Sequence, residues 1–255
     1  MILCLDCGNT SIKIGLFEGE TLKKVYTLKT DRNKSSDEYS ISMVSLIKEK
    51  VDGAIVSSVV PLLTSILKQA IKTSFGVDAL IVGKKLKTKL SLKIDNPNEL
   101  GSDMLAGAIG AKELVNYPFV VADLGTATKL YVVDKNGNFV GGVITAGMEI
   151  SLRALIGNTA QLLETPILAP SQIIGKNTKD CIQSGIVFGQ AYMVSEFARR
   201  MEKELGYELN RVVTGGFAKE IKDEIVCFNY DPDIVLKGIY KIYKINTQGD
   251  NHEKF

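Results

Sequence analysis

Two aspartates, Asp6 and Asp123, each close an apolar run, and each is followed two residues later by a glycine, Gly8 and Gly125. A glycine after such a run lets backbone amides approach an anion closely. Thr10, Thr126 and Thr128 add hydroxyl donors, and the two carboxylates are of the type that orients a magnesium ion, directly or through water. Two hairpins of this kind facing each other would make a phosphate clamp. A single Asp-x-Gly is a common turn, but two copies in matched surroundings point to a duplicated chain. Thr214-Gly215-Gly216 follows the apolar "RVV" and suits either close backbone approach to a nucleoside or a turn into a helix. Asp103 opens a small-residue apolar helix, where an acid either complements the helix dipole or serves as a general base toward an attacking hydroxyl. The chain has no GxxxxGK[ST] loop, so a nucleotide must be held in another way.

The elements that must position these residues repeat as well. "MILCLD", "SIKIGLF" and "LKKVYTLK" read as three strands of a meander. They are followed by a helical pattern from Asp37 to Val51, a strand "GAIVSSVV", a helix opening at Pro61, and a long helix introduced by Asn96-Pro97. From Pro118 the order restarts with "FVVADL", "KLYVVD", the turn "KNGN" and "FVGGVIT". Helical patterns run from Gly147 to Leu163 and from Thr178 to Leu205, then come a strand "RVVTG", a short helix after Gly216, a strand "EIVCF" and a closing helix from Ile234. Two related α/β domains are expected, residues 1–117 and 118–255, with a disordered tail from about residue 246.

Composition narrows the function. With 45% hydrophobic and 24% charged residues in 255, the chain reads as an ordinary globular protein. No apolar run approaches the roughly 18 residues of a membrane span and no signal core is visible, so a cytoplasmic protein without a membrane partner is expected. A net charge of +2, from 31 basic and 29 acidic residues, argues against a nucleic-acid partner. Cys4, Cys7, Cys181 and Cys227 lie in or beside apolar segments as reduced thiols; Cys4-x-x-Cys7 has no second pair and alternates across a strand. The only histidine, His252, stands in the polar tail, which excludes Ser-His-Asp and Cys-His hydrolases and a His-ligated zinc. Carboxylates, hydroxyls, backbone amides or a metal ion must carry any chemistry.

The words "DCGNTSIKIGLF", "SSVVP", "NPNELGSD", "DLGTAT", "GGVITAGMEISLRAL", "IGKNTKDCIQSGIVFGQA" and "VVTGGFA" occur in the order and spacing of the type III pantothenate kinases, and the chain resembles that family from Ile2 to about Ile245. The resemblance implies an α/β fold of the duplicated ribonuclease-H-like type, the two-domain actin-like ATPase fold of the actin, Hsp70 and sugar-kinase superfamily, with a nucleotide cleft between the domains. It implies a homodimeric kinase that phosphorylates the terminal hydroxyl of pantothenate in the first step of coenzyme A synthesis, using ATP, Mg2+ and a monovalent cation, K+ or NH4+. By the same resemblance Asp6, Gly8, Asn9 and Thr10 form the first phosphate loop, and Asp123, Gly125, Thr126, Ala127 and Thr128 the second, with Asp6 and Asp123 toward the metal. Asp103 becomes the catalytic base, Gly101 and Ser102 face pantothenate, Thr178 reaches it at the dimer interface, and Gly215 and Gly216 face adenosine.

The departures fall mainly on the acceptor side. The family's Gly-x-Asp-Arg is Gly101-Ser102-Asp103-Met104 here, and methionine cannot replace a guanidinium fork on a carboxylate. Losing a buried charge-assisted contact costs on the order of 2–5 kcal/mol. Ile94 stands where a tyrosine is usual, Lys129 where a threonine is usual, and Ala146-Gly147 replaces Pro-Gly. Lys129 either sets a fixed ammonium near the phosphates, weakening the need for a monovalent cation, or points outward. Two alternatives follow: a kinase for a pantothenate analogue or another small alcohol, and a nucleotide-binding regulator with weak or lost catalysis.

Overall fold

The computed structural model describes residues 1–83, 85–158 and 165–247; the expected disordered tail beyond residue 247, His252 and the end of the helix expected to reach Leu163 lie outside the described residues. The chain forms two compact units.

In the first unit the strands are β1 (Ile2–Cys7), β2 (Ser11–Glu18), β3 (Thr21–Lys29), β4 (Gly53–Ser58) and β5 (Ala79–Ile81), in the sheet order β3-β2-β1-β4-β5. Strand β1 pairs antiparallel with β2 and parallel with β4. It reads as a continuous apolar run because it is central and covered on both faces. On one face Leu3, Leu5, Ile12 and Ile14 meet Tyr39 and Met43 of α1 (Ser36–Leu46) and Leu63, Leu67 and Ile71 of α2 (Pro61–Phe75). On the other, Cys4, Phe17 and Ile55 meet Ala106 and Ile109 of α3 (Ser102–Ala111) and Leu236, Ile239 and Ile242 of α7 (Ile234–Thr247). Gly110 and Gly238 permit the close approach of α3 and α7, since a Cβ on either would strike the other helix's backbone. Edge strand β3 is largely exposed and carries Lys23, Lys24 and Lys29, charges that discourage pairing with another chain.

In the second unit β7 (Phe119–Leu124), β8 (Ala127–Val133) and β9 (Asn138–Ala146) form the meander, and β10 (Asn210–Thr214) and β11 (Phe228–Tyr230) add in parallel. The order β11-β10-β7-β8-β9 repeats that of the first unit, with the short β6 (Ser91–Leu92) added beside β9. One sheet face carries Val120, Ala122, Leu130, Val132 and Val213 against Val187, Ala191, Val194 and Ala198 of α5 (Thr178–Leu205). Helices α4 (Met148–Gly157) and α6 (Ala218–Ile221) complete the unit.

The units are not the continuous halves expected. Residues 91–94 belong to the second, and the chain from Ile234 returns to the first, because α7 supplies the apolar face that β1, β4 and α3 need. The helix expected to run to Val51 stops at Leu46: the C-cap Ile47 is extended, so that Ile47 and Val51 reach the core from irregular backbone. The long helix expected after Asn96-Pro97 is split into a 3-10 turn, Pro97–Glu99, and α3, with Leu100 and Gly101 extended between them. The strand expected at "EIVCF" begins only at Phe228, after Cys227 at φ 66°.

Candidate active site

In the first unit the loop after β1 is a tight hairpin. Gly8 N–H donates to Ser11 O at 2.9 Å, and a Cβ on Gly8 would press on that same oxygen at 3.2 Å. The loop is tied to the chain after β3: Thr30 N–H donates to Thr10 O at 3.0 Å, Thr30 Oγ1 to Gly8 O at 2.8 Å, and Arg32 to Asn9 Oδ1 at 2.9 Å. Asn9 and Thr10 are exposed at the tip, while Asp6, half-buried, pairs in register with Lys13 on one side and Ser57 on the other.

Beside this loop lies the start of α3. Val59 N–H donates to Cys7 O at 3.0 Å, which keeps the end of β4 next to the loop. Ser57 Oγ donates to Ser102 Oγ at 3.0 Å, and Ser102 Oγ donates to Ser58 O at 3.2 Å. Ser102, expected to face the acceptor, therefore spends its hydroxyl on anchoring α3. Asp103 Oδ1 accepts from Met104 N–H at 2.8 Å and folds back over Gly101, where any Cβ would collide with it. A side chain at Gly101 would displace the carboxylate from this seat. Met104 is buried, 8% exposed, and presents no charge. Beside Asp6, burial pushes the Cys7 thiol up, a hydrogen bond with Ser58 opposes this, and the Asp6 charge adds to it.

In the second unit the loop after β7 is held from the interior. Gly125 N–H donates to Ala127 O at 3.2 Å. Gly147 at the N-terminus of α4 donates to Thr126 O at 3.1 Å, and a Cβ there would strike the carbonyls of Gly125 and Thr126. Gln190 Nε2 on α5, buried, donates to Thr128 Oγ1 at 2.5 Å. Asp123 is 7% exposed, and its Oδ2 lies 2.7 Å from Lys129 Nζ. Lys129 therefore does not point away from the aspartate, as its outward reading would require. Among the glycines, Gly215 (φ +102°) is required by packing on the Leu124 backbone. Gly125 and Gly216 are not: a Cβ would meet nothing nearer than 3.6 Å at the first and nothing within 4 Å at the second. Their open surroundings are what close approach of a ligand to backbone needs.

Thr178 is exposed at the start of α5, which is capped by Asn177 accepting from Asp180 N–H at 2.9 Å. It borders a shallow groove of about 510 Å³ between α4 and α5, lined also by Leu155, Cys181, Ile182 and Ile186. Ile94 is half-buried in the second unit.

Sequence reasoning did not single out Arg32, Ser57 or Gln190 as site residues, and read Thr214 only as the first residue of the Thr214-Gly215-Gly216 turn. Thr214 pairs in register with Asp123 and is 1% exposed, and its Oγ1 has no hydrogen-bond partner among the described residues. Gln190 and Thr214 stand inside the quoted words "GIVFGQA" and "VVTGGFA", which was the available signal. Ser57 opens the quoted word "SSVVP" and had the same signal; Arg32 had none, because its role arises from a contact with Asn9 across the meander.

Among the described residues no group of three or more His, Cys, Asp or Glu is placed to hold a metal ion. A magnesium ion carried on phosphates needs only one or two carboxylates. Asp6 and Asp123 are both of that type, and Asp123 carries an ammonium on one oxygen. No helix among the described residues is long and apolar enough to cross a membrane.

The sequence profile of the type III pantothenate kinases matches residues 2–200. The chain belongs to that family. Family membership makes it an ATP-using kinase acting on a small molecule. Solved structures share the fold. A Sinorhizobium meliloti protein described as a 2-dehydro-3-deoxygalactonokinase aligns over 100% of both chains at 8% identity, TM-score 0.63. A Campylobacter jejuni protein described as a Baf family transcriptional activator aligns over 95% of this chain and 97% of its own at 19% identity, TM-score 0.59. Component A of the Acidaminococcus fermentans (R)-2-hydroxyglutaryl-CoA dehydratase aligns over 95% and 98% at 14% identity, TM-score 0.54. With the repeated strand order, these likenesses establish the duplicated ribonuclease-H-like, actin-like fold.

Proposed function

We propose that this chain transfers the γ-phosphoryl group of ATP to the terminal hydroxyl of pantothenate. The observation that carries the reading is the seating of Asp103: its carboxylate is folded over Gly101 at the start of a helix that Ser102 ties to the strand next to the first phosphate loop. The acceptor hydroxyl oxygen attacks the γ-phosphorus as the bond to the bridging oxygen breaks. Asp103 takes the hydroxyl proton, and ADP leaves with a phosphate monoester as product. The backbone amides around Gly8, Asn9 and Thr10 and around Gly125, Thr126, Ala127 and Thr128 stabilise the phosphates by fixed dipoles. The open backbone at Gly216, with Gly215 beside it, faces adenosine. Magnesium, when bound, would neutralise phosphate charge, and Asp6 and Asp123 are the residues that would hold it. In this reading a second copy of the chain covers the groove between α4 and α5, where Thr178 contacts the acceptor; light scattering tests the dimer.

Met104 favours a second reading, an acceptor without a carboxylate, because a buried thioether stands where a guanidinium would hold that group. One assay separates the two: ADP formation by the purified protein with pantothenate and with uncharged hydroxyl analogues. Turnover confined to pantothenate supports the first reading; turnover confined to the analogues replaces it with the second. Asp103→Asn should lower kcat by about 10²–10⁴-fold while calorimetry shows unchanged binding of a non-hydrolysable ATP analogue. An active variant removes Asp103 from the role of base.

A further inference from the structure

Across the second unit's sheet, Thr214, Asp123 and Lys129 form one row: Thr214 is paired with Asp123 between β10 and β7, and Asp123 with Lys129 between β7 and β8. Residues directly opposite in a sheet share a face, so the three side chains lie together where β7 and β10 end and the second phosphate loop begins. The row is nearly dry: Thr214 is 1% exposed, and the Asp123 and Lys129 side chains 10% and 14%. It holds a 2.7 Å ion pair, and beside it a buried hydroxyl without a partner among the described residues. Above it, Gly125 and Gly216 leave their backbones open.

A buried ion pair adds little to stability, because desolvating both charges offsets their attraction. An unpaired buried hydroxyl costs on the order of 1–3 kcal/mol. Both features are understandable if the row meets a ligand rather than only packing the unit. The duplicated chain supports this, since the first loop has the same arrangement, Asp6 in register with Lys13. A bare carboxylate at Asp123 would repel an arriving phosphate unless a cation sat on it. We infer that Lys129 is that cation: a resident ammonium which neutralises Asp123 and contacts the nucleotide's phosphates, making nucleotide binding independent of added potassium or ammonium.

The inference rests on the kinase reading, and the test separates the two. Binding of a non-hydrolysable ATP analogue with magnesium is measured by calorimetry in choline chloride and in potassium chloride of equal ionic strength. For the unaltered protein the Kd should agree within about twofold between the salts. Lys129→Thr should weaken binding about tenfold or more in choline chloride, the loss of one charge-assisted contact, and recover in potassium. Lys129→Arg should bind like the unaltered protein, and AMP should bind all forms equally. The inference is overturned if the unaltered protein needs potassium, or if Lys129→Thr binds normally in choline chloride. The salt comparison on the unaltered protein decides even if a variant fails to fold. If that protein binds no ATP analogue in either salt, the kinase reading falls and this inference with it.

Discussion

The two phosphate loops descend from one pattern and are built to different stiffness. The first leaves Gly8, Asn9, Thr10 and Ser11 between its last paired residues, Cys7 and Ile12; the second leaves only Gly125, Thr126 and Ala127 between Leu124 and Thr128. The first has an exposed tip held by Thr30 and the surface residue Arg32. The second is clamped by the start of α4 and by the buried amide of Gln190. The shorter loop supplies preorganised dipoles, which cost no rearrangement when charge arrives. The longer loop is held instead through its exposed tip, by Thr30 and Arg32.

Substitutions should expose that asymmetry, most strongly in the second loop. Gly147→Ala puts a methyl into the carbonyls of Gly125 and Thr126. It should destabilise by about 1–3 kcal/mol or more and lower kcat/KM by on the order of 10²-fold through misplacement of the loop, measured by thermal unfolding and steady-state kinetics. Gln190→Leu leaves the Thr128 hydroxyl without its partner and should cost about 1–3 kcal/mol, with weaker binding of the ATP analogue. In the first loop, Arg32→Ala removes an exposed contact and should change stability by no more than about 0.5 kcal/mol, with a few-fold rise in KM for ATP. A large stability loss there would show the first loop to be as rigid as the second.

The smallest effect uses Cys7, which occupies the place Leu124 takes in the second hairpin. Burial and the Asp6 charge hold its thiol in the protonated, poorly nucleophilic form at neutral pH. Iodoacetamide should label exposed Cys227 first and Cys7 slowly, and the ATP analogue should slow Cys7 further. Labelling of Cys7 as fast as Cys227 would mean that the first loop opens freely.

Much of this was legible in the sequence. The alternation of apolar strands and the repeated Asp-x-Gly announced the duplication, because period-two patterning and turn glycines are local properties. The position of Asp103 in the first turn of a small-residue helix was legible. The anchors were not: Ser57 meets Ser102 and Gln190 meets Thr128 only once distant segments are packed. The break at Leu100–Gly101 had a cue in Gly101, but the helical periodicity on either side concealed it. The outward reading of Lys129 failed for the same reason. Its partner is fixed by strand register, which one strand's sequence does not specify.

The return of α7 to the first unit bears on how the chain is made. Leu236, Ile239 and Ile242 cover a sheet face whose strands and partner helix α3 all lie before Leu114, so residues 114–233 must be synthesised before that cover arrives. At 5–20 residues per second the delay is roughly 6–24 s. During that interval Cys4, Phe17 and Ile55 have no lid from α7, whereas the second unit gains its last strand, β11, only a few residues before α7 itself is made. The nascent first unit is therefore where a chaperone would be most needed, and truncation of the chain before Ile234 should leave that unit aggregation-prone rather than merely inactive.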